Sequence, residues 1–212
     1  MNLNAARSSL GEIEDELRQV LERRERILKN SRDVILACSR AIIAVHAGKR
    51  GEAAKDLEDA RAMLQELRRD GRSSLARYLQ SPEAEFVEAS AVVAISKGRS
   101  IPDVKSLEVS HEAYLLGLLD TVGELKRLLL VALTSGEVKR AEQYFQTMED
   151  LYALLSSFAV YDNVVNGVRR KIDVARMITE DTRGILAEEA RRESLLSSIE
   201  KLQRAIRRKD DD

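Results

Sequence analysis

Two stretches of the sequence carry carboxylates at helical spacing within apolar surroundings. In YLLGLLDTVGELKRLLLVAL, Asp120 and Glu124 stand four residues apart; in SPEAEFVEAS, Glu85 and Glu88 stand three apart. Such spacings put side chains on one face of a helix, so each stretch presents a pair of acids one turn apart. Placing ionised acids in apolar helices is costly unless something compensates them. Two such pairs brought face to face would repel unless a hard divalent cation lay between them. Mg2+ suits that role, because it prefers oxygen ligands, keeps several waters and commonly uses only one or two carboxylates directly. An ion held this way activates water and grips a phosphoryl oxygen.

A plainer reading of the later pair stands beside this one. On a helical wheel Ala113, Gly117, Asp120, Glu124, Arg127 and Val131 form one stripe, with leucines on the other sides. Charged stripes are usually solvated faces. Glu124 would then pair with Arg127 and the stripe would be the helix's narrow exposed side. Spacing alone leaves both readings open.

Other chemistries find less support. Glu108-Val-Ser-His111 has the Glu-x-x-His form used by di-iron helical bundles, but those need a second copy. The only other histidine, His46, has Ile43 three positions before it. His111 therefore reads as a first-turn residue near a helix start. No G-x-S-x-G, P-loop or H-E-x-x-H motif occurs. Cys38 lies on an apolar helix face and reads as core.

The elements that must position the acids are helices. From about Ser8 to Ala47, apolar residues including Ile13, Leu17, Val20, Leu21, Ile27, Ile35, Cys38 and Ile42 recur at spacings of three, four and seven. The stretch would be roughly 60 Å long at 1.5 Å per residue, so it needs a partner along its length from this chain or another copy. Gly48 ends it. A second helix is expected from Glu52 to Asp70, broken at Gly71 and continued over Arg72 to Gln80. Ser81 is expected to cap a third, with Pro82 at its first position, running through Glu83 to Lys97. A loop over Gly98 to Pro102 and a short turn over Asp103 to Leu107 follow. Ser110 caps the Asp120 helix, which runs to about Leu133. Another helix spans Glu137 to Phe158, and a last one starts near Val164 and passes Arg207, leaving a frayed tail from about residue 208. The expectation is a single all-α domain of about seven helices over residues 1–212, with long first and last helices.

Composition agrees. Aromatic residues make up 4%, Trp is absent, and there are 10 Gly and 2 Pro, as suits long helices rather than sheets. Lys plus Arg number 35 and Asp plus Glu 36, for a net charge of −1. Overall charge thus names no polyanion partner, and any nucleic-acid surface must be a local patch with the acids segregated elsewhere. One cysteine, no apolar leader and no apolar run of membrane-spanning length point to a cytoplasmic protein without a membrane span.

Several segments together resemble the translin and Trax family. RERILKNSRDVILACSRAI looks like its first-helix signature, with Lys29, Ser31, Arg32, Asp33 and Arg40; AEFVEASAV looks like Trax. YLLGLLDTVGELKRLLLVALTSGEV is similar to the family's most recognisable segment, with its Tyr-Leu-x-Gly start and Gly-Glu-Leu-x-Arg centre. NGVRRKIDVARMITEDTRGIL resembles its closing helix, so the likeness covers roughly residues 20 to 190. Trax-type chains are metal-dependent endoribonucleases, whereas translin-type chains bind RNA or DNA and lack the acidic set. The Trax acids fall here on Glu85, Glu88, Asp120 and Glu124, so the resemblance implies a Trax-like, Mg2+-dependent endoribonuclease, with Mn2+ as the alternative ion. Glu88, Asp120 and Glu124 would hold the metal, and Glu85 would ligate through water or act as general base. Glu83 falls outside the motif and is expected at the surface.

The resemblance further implies a seven-helix subunit in a hollow octamer enclosing RNA. The short Gly98 to Pro102 loop, where Trax chains often carry insertions, suggests a compact prokaryotic-type homo-oligomer. The expected substrate is single-stranded RNA or short fragments. Cations proposed to meet its phosphates are Lys29, Arg32, Arg40, Arg127, Arg169 and Arg170, with Lys171 beside them. One departure stands out: the family's basic, aromatic-rich run is reduced here to GRSSLARYLQ, holding Arg72, Arg77 and Tyr78. The alternatives are a non-catalytic translin-like RNA- or DNA-binding protein and a helical scaffold.

Overall fold

The computed structural model describes residues 3–71 and 73–210. Seven α-helices account for most of it: α1 (Asn4–His46), α2 (Arg50–Asp70), α3 (Gln80–Ser96), α4 (Val104–Leu107), α5 (His111–Thr134), α6 (Val138–Ser156) and α7 (Val168–Asp210). Two 3-10 segments, Ser73–Leu79 and Ser157–Tyr161, join α2 to α3 and follow α6, and no strand occurs among the described residues. The all-α expectation holds. Arg72 and residues 211–212 lie outside the described residues; the tail expected to fray from about residue 208 is helical as far as Asp210.

Start signals behaved unevenly. Ser110 caps α5 as expected, its Oγ accepting from the Ala113 N–H at 3.3 Å. Asp103 caps α4 through the N–H groups of Lys105 and Ser106, both at 2.9 Å. Ser81 does not cap α3. That helix begins at Gln80, without a side-chain cap, and Ser81 and Pro82 lie inside its first turn, where a missing N–H costs nothing. The 3-10 segment delivers the chain already coiled, so no extended cap residue is needed.

α3 is the middle of the structure. It packs on α1 on one side and α5 on the other, and also touches α2; α5 in turn packs on α6 and α7. Phe86, Val87, Ala89, Ser90, Ala91, Val92 and Val93 are all buried, so α3 has no broad solvent face. α1 is different along its length. From Ile27 onward its stripe is core, but Leu10, Ile13, Leu17 and Leu21 are exposed. On α7, Leu195, Leu196, Ile199, Leu202 and Ile206 are likewise exposed.

The α3–α5 contact is close at one point. A Cβ on Gly117 would stand 2.4 Å from the Ala84 carbonyl oxygen and 2.7 Å from the Val87 Cβ. Only glycine lets the two backbones approach this far. The stripe Ala113–Gly117–Asp120–Glu124–Arg127–Val131 is therefore not one exposed face. Ala113 and Gly117 are buried, Asp120 and Glu124 are half-buried, and Arg127 and Val131 are exposed.

G117A should therefore lower the denaturant midpoint by the equivalent of roughly 1–3 kcal/mol, the usual cost of overpacking. Gly184 on α7 has nothing within 4 Å of a Cβ, so G184A should gain up to about 1 kcal/mol from helix propensity. Urea titrations of the two variants side by side would check the contrast, and equal behaviour would refute the account of Gly117.

Candidate active site

The close α3–α5 contact brings the two acid pairs together. Glu85 and Glu88 from α3 and Asp120 from α5 line one cavity of about 640 Å3, together with Arg170 and Lys171 from α7. Both oxygens of Asp120 accept from the Lys171 Nζ. Glu124, one turn further along α5, turns toward α1: its Oε2 lies 2.5 Å from the His46 Nε2 and accepts from the Arg127 guanidinium at 3.4 Å. The Glu124–Arg127 pairing expected from the sequence is present, but His46 is the nearer partner.

His46 is the site residue that sequence reasoning missed. It is the last residue of α1, four residues after Ile42 and eight after Cys38 on the buried face, and that spacing was the available signal. Its side chain is only 9% exposed. With Nε2 on Glu124, its Nδ1 is buried and has no hydrogen-bond partner among the described residues.

The four acids are compensated unequally. Hydrogen bonding from His46, aided by the charge of Arg127, holds Glu124 below the ordinary carboxylate range. Glu85 is pushed up, first by burial and then by the charge of Asp120, with Lys171 pulling the other way. Glu88 is pushed up to about 8 by burial and then by the charges of Glu85, Asp120 and Glu124. The same two α3 acids, after burial itself, help to raise the neighbouring Cys38 thiol to about 12, so this buried cysteine is held as an inert thiol.

By its chemistry this donor set fits a hard cation. It offers carboxylate oxygens in a half-buried, polar cavity, and among the described residues no cation is hydrogen-bonded to Glu88. As they stand, however, no three His, Cys, Asp or Glu side chains converge as ligands of one ion among the described residues. Asp120 and Glu124 are turned to Lys171 and His46 instead. Seating an ion would require Asp120 to leave Lys171. That exchange is easy: Asp120 and Lys171 are 36 and 37% exposed, and ion pairs this open are worth no more than about 1 kcal/mol.

The other expected residues divide. Arg127 and Arg170 reach the acid set, and Arg169 lines the adjoining hollow with Asp173 and Met177. Arg40 pairs with Asp56 of α2 at 3.2 Å and lines a hollow with Asp33, Glu66 and Asp70, on the α2 side of α1. Lys29 and Arg32 are exposed on α1 and line neither hollow. Arg77 and Tyr78 form their own cluster: the Tyr78 hydroxyl accepts from Arg24 at 3.1 Å and from Arg77 at 3.2 Å. Glu83, expected at the surface, is buried. Its carboxylate accepts from the Arg68 guanidinium at 3.4 Å and from the Ser110 N–H at 3.0 Å, tying α2 to the start of α5. Its partner lies fifteen residues back in the chain, beyond the reach of local patterning.

Comparison with known proteins settles the family. Residues 71–178, which hold all four acids, match the Translin family profile. The chain belongs to the Translin family. An uncharacterized protein of Methanocaldococcus jannaschii is 38% identical over 169 residues, covering 76% of this chain and 73% of that protein. Among solved structures, AfC3PO in complex with duplex RNA is 33% identical with a TM-score of 0.77, over 86% of this chain and 98% of that one. AfC3PO alone is 34% identical, with a TM-score of 0.72, over 90% of this chain and 99% of that one. NeC3PO, at 22% identity, shares the fold, with a TM-score of 0.75 over 88% of this chain and 97% of its own. The fold of this Translin-family chain is thus found in chains of nearly its own extent. Among the described residues no helix is long and apolar enough to cross a membrane.

The state of Glu88 gives a stability test. In the folded chain its carboxyl keeps a proton up to about pH 8, whereas unfolded it would release it near its ordinary 4.5. Between those values the folded state binds more protons, so stability falls as pH rises through this window. In EDTA, the melting temperature of the wild type should fall from about pH 5 to about pH 9, and E88Q should flatten that slope. An unchanged slope in E88Q would show that Glu88 is not the strained acid.

Proposed function

We propose that this Translin-family protein binds RNA and hydrolyses its phosphodiester bonds with a divalent metal, Mg2+ or Mn2+, as a homo-oligomer. The observation that carries this reading is the meeting of Glu85, Glu88 and Asp120 with Arg170 and Lys171 around one cavity. Oxygen donors for a metal and cations for a phosphate thus share one space. The likeness to AfC3PO, solved with duplex RNA, supports RNA as the ligand.

In this reading Glu88, Asp120 and Glu124 would hold the metal, and Glu85 would orient a water or take its proton. A bound Mg2+ would supply a polarised water and charge neutralisation at the scissile phosphate. His46 keeps Glu124 ionised and fixes its direction. Lys171, released from Asp120, moves with Arg170 to the phosphate oxygens, where charge-assisted contacts are strongest. Water adds to phosphorus and one bridging P–O bond breaks. Arg127 and Arg169 extend the cationic rim. The exposed apolar residues of α1 and α7 support assembly with further copies, and the family resemblance makes the expected assembly an octamer.

A non-catalytic RNA-binding reading is favoured by one observation. Asp120 and Glu124 already have protein partners, and no three ligand side chains converge among the described residues. One assay separates the two. Labelled single-stranded and duplex RNA are incubated with the protein in Mg2+, Mn2+ or EDTA, beside E88Q and D120N. The nuclease reading expects cleavage abolished by EDTA and reduced more than about 100-fold in either variant. RNA bound but never cut would leave the binding protein. RNA affinity should also fall steeply with salt, and light scattering should report an assembly far larger than a dimer.

A further inference from the structure

Away from Glu85, Glu88, Asp120 and Glu124, one end of the helical bundle gathers cations, four of which have no acidic partner among the described residues. The chain turns there after α1, after α3 and after α5, and each turn closes on a glycine in the left-handed region, Gly48 (φ 72°), Gly98 (φ 66°) and Gly136 (φ 74°). Basic residues follow each one at once or within four positions: Lys49 and Arg50, Arg99, then Lys139 and Arg140. Arg50, Lys97, Arg99, Lys139 and Arg140 line a single cavity of about 720 Å3. No aspartate or glutamate among the described residues lines it.

Ordinary surface chemistry does not account for this cluster. Arg140 is anchored, donating to the Tyr144 hydroxyl at 3.0 Å and pairing with Glu137 at 3.0 Å. Among the described residues the side chains of Arg50, Lys97, Arg99 and Lys139 have no acidic partner. Basic residues do favour helix C-termini, but the ends of α1, α3 and α5 together carry only about −1.5 charges. α2 starts at Arg50 and α6 at Val138, and those N-termini bring roughly +1 back to the same end. Arg50, Lys139 and Arg140 sit in first turns, where a cation is disfavoured unless an anion joins it. In a chain with a net charge of −1, this is a local cationic patch of the kind a polyanion site requires, offset only in part by Glu137 on Arg140 and Glu52 on Lys49.

The cavity is too large for one phosphate alone and is within the range of small-ligand pockets. Ile95 and Ile101 give it an apolar wall, and Ser96, Ser100, Gln143 and Thr147 give it neutral hydrogen-bonding groups. We infer that it binds the phosphate group of a nucleotide, presented either as the phosphorylated end of an RNA strand or as a free nucleotide. A smaller cavity of about 310 Å3 shares Arg50, Ser96, Arg140 and Tyr144 with it and is lined by His46, whose Nε2 meets Glu124. The basic cavity thus adjoins the one that His46 lines, on the side of His46 away from Glu124.

The test is binding in EDTA, with no cleavage. The probes are inorganic pyrophosphate, ADP, and one short RNA with a 5′-phosphate or a 5′-hydroxyl. The wild type should bind the phosphorylated RNA more tightly than its hydroxyl twin, or bind ADP and pyrophosphate by calorimetry. The first pattern identifies a strand end as the ligand and the second a free nucleotide. R99E and K139E should each weaken that binding about tenfold or more with an unchanged melting temperature. K55E, which reverses an exposed cation of α2 outside the cavity, should leave it unaltered. The inference is overturned if no probe shows phosphate-dependent binding, if R99E and K139E bind like the wild type, or if K55E weakens binding equally. Because no metal or cleavage is involved, failure here leaves the nuclease reading standing, and failure of the nuclease assay leaves this one standing.

Discussion

Two helices that touch backbone to backbone cannot carry acids at the contact without help from outside. The approach of α3 and α5 at Gly117, against Ala84 and Val87, imposes that condition on the whole molecule. It brings Glu85, Glu88, Asp120 and Glu124 into one half-buried region where desolvation and like charge act in the same direction. The compensation comes from elsewhere in the chain. α1 brings His46 to Glu124, α7 brings Lys171 to Asp120, and α5 itself supplies Arg127. Three separate segments are thus committed to the electrostatics of a single contact. Glu88 has no hydrogen-bonded cation among the described residues and only the distant charge of Lys171 to offset its burial, so it remains protonated to about pH 8.

The helices and the acid pairs were legible because both are local. Periodicity marked α1, α2, α5 and α6 to within a few residues, and glycine stops at Gly48, Gly98 and Gly136 marked where the chain turns. What stayed illegible was long-range pairing. Glu83 stands two residues before Glu85, yet it is buried against Arg68 and the Ser110 N–H, contacts set by how α2 and α5 meet. His46 entered the sequence reading only as a histidine without a glutamate three positions before it, and only the crossing of α1 with α5 aims it at Glu124. Ser81 carried a strong cap signal, but the 3-10 segment before it delivers a coiled chain, so the cap position moved upstream to Leu79. Arg40 matched a motif and yet faces Asp56, because the face it occupies on α1 is the one that packs toward α2.

Near-neutral total charge concealed a strong separation of charge within the fold. Acids gather where α3 meets α5, and cations gather around the turns at the ends of α1, α3 and α5. The two regions are joined through His46 and the cavity that shares Arg50 and Arg140. Such an arrangement draws an anionic chain toward the cations and away from the acids, so any anion near the acids must be held there by local positive charge. The cations at those turns are thus tethered away from the acids, which have Lys171, Arg170 and Arg127 beside them.

The strengths of the compensating contacts differ in a way that bears on exchange. The contact between His46 and Glu124 joins side chains 9 and 20% exposed, so breaking it leaves buried polar groups unpaired, which costs about 1–3 kcal/mol or more. The Lys171–Asp120 pair is far more open and holds by no more than about 1 kcal/mol. A cation arriving at the cavity would therefore displace Lys171 before it displaced His46. Asp120 would turn inward toward Glu85 and Glu88, while Glu124 kept its direction. Lys171, on the rim with Arg170, would then be the group set free, at the place where a phosphate would lie. The weakest link in the acid set is thus the one whose release supplies both a ligand and a counter-charge.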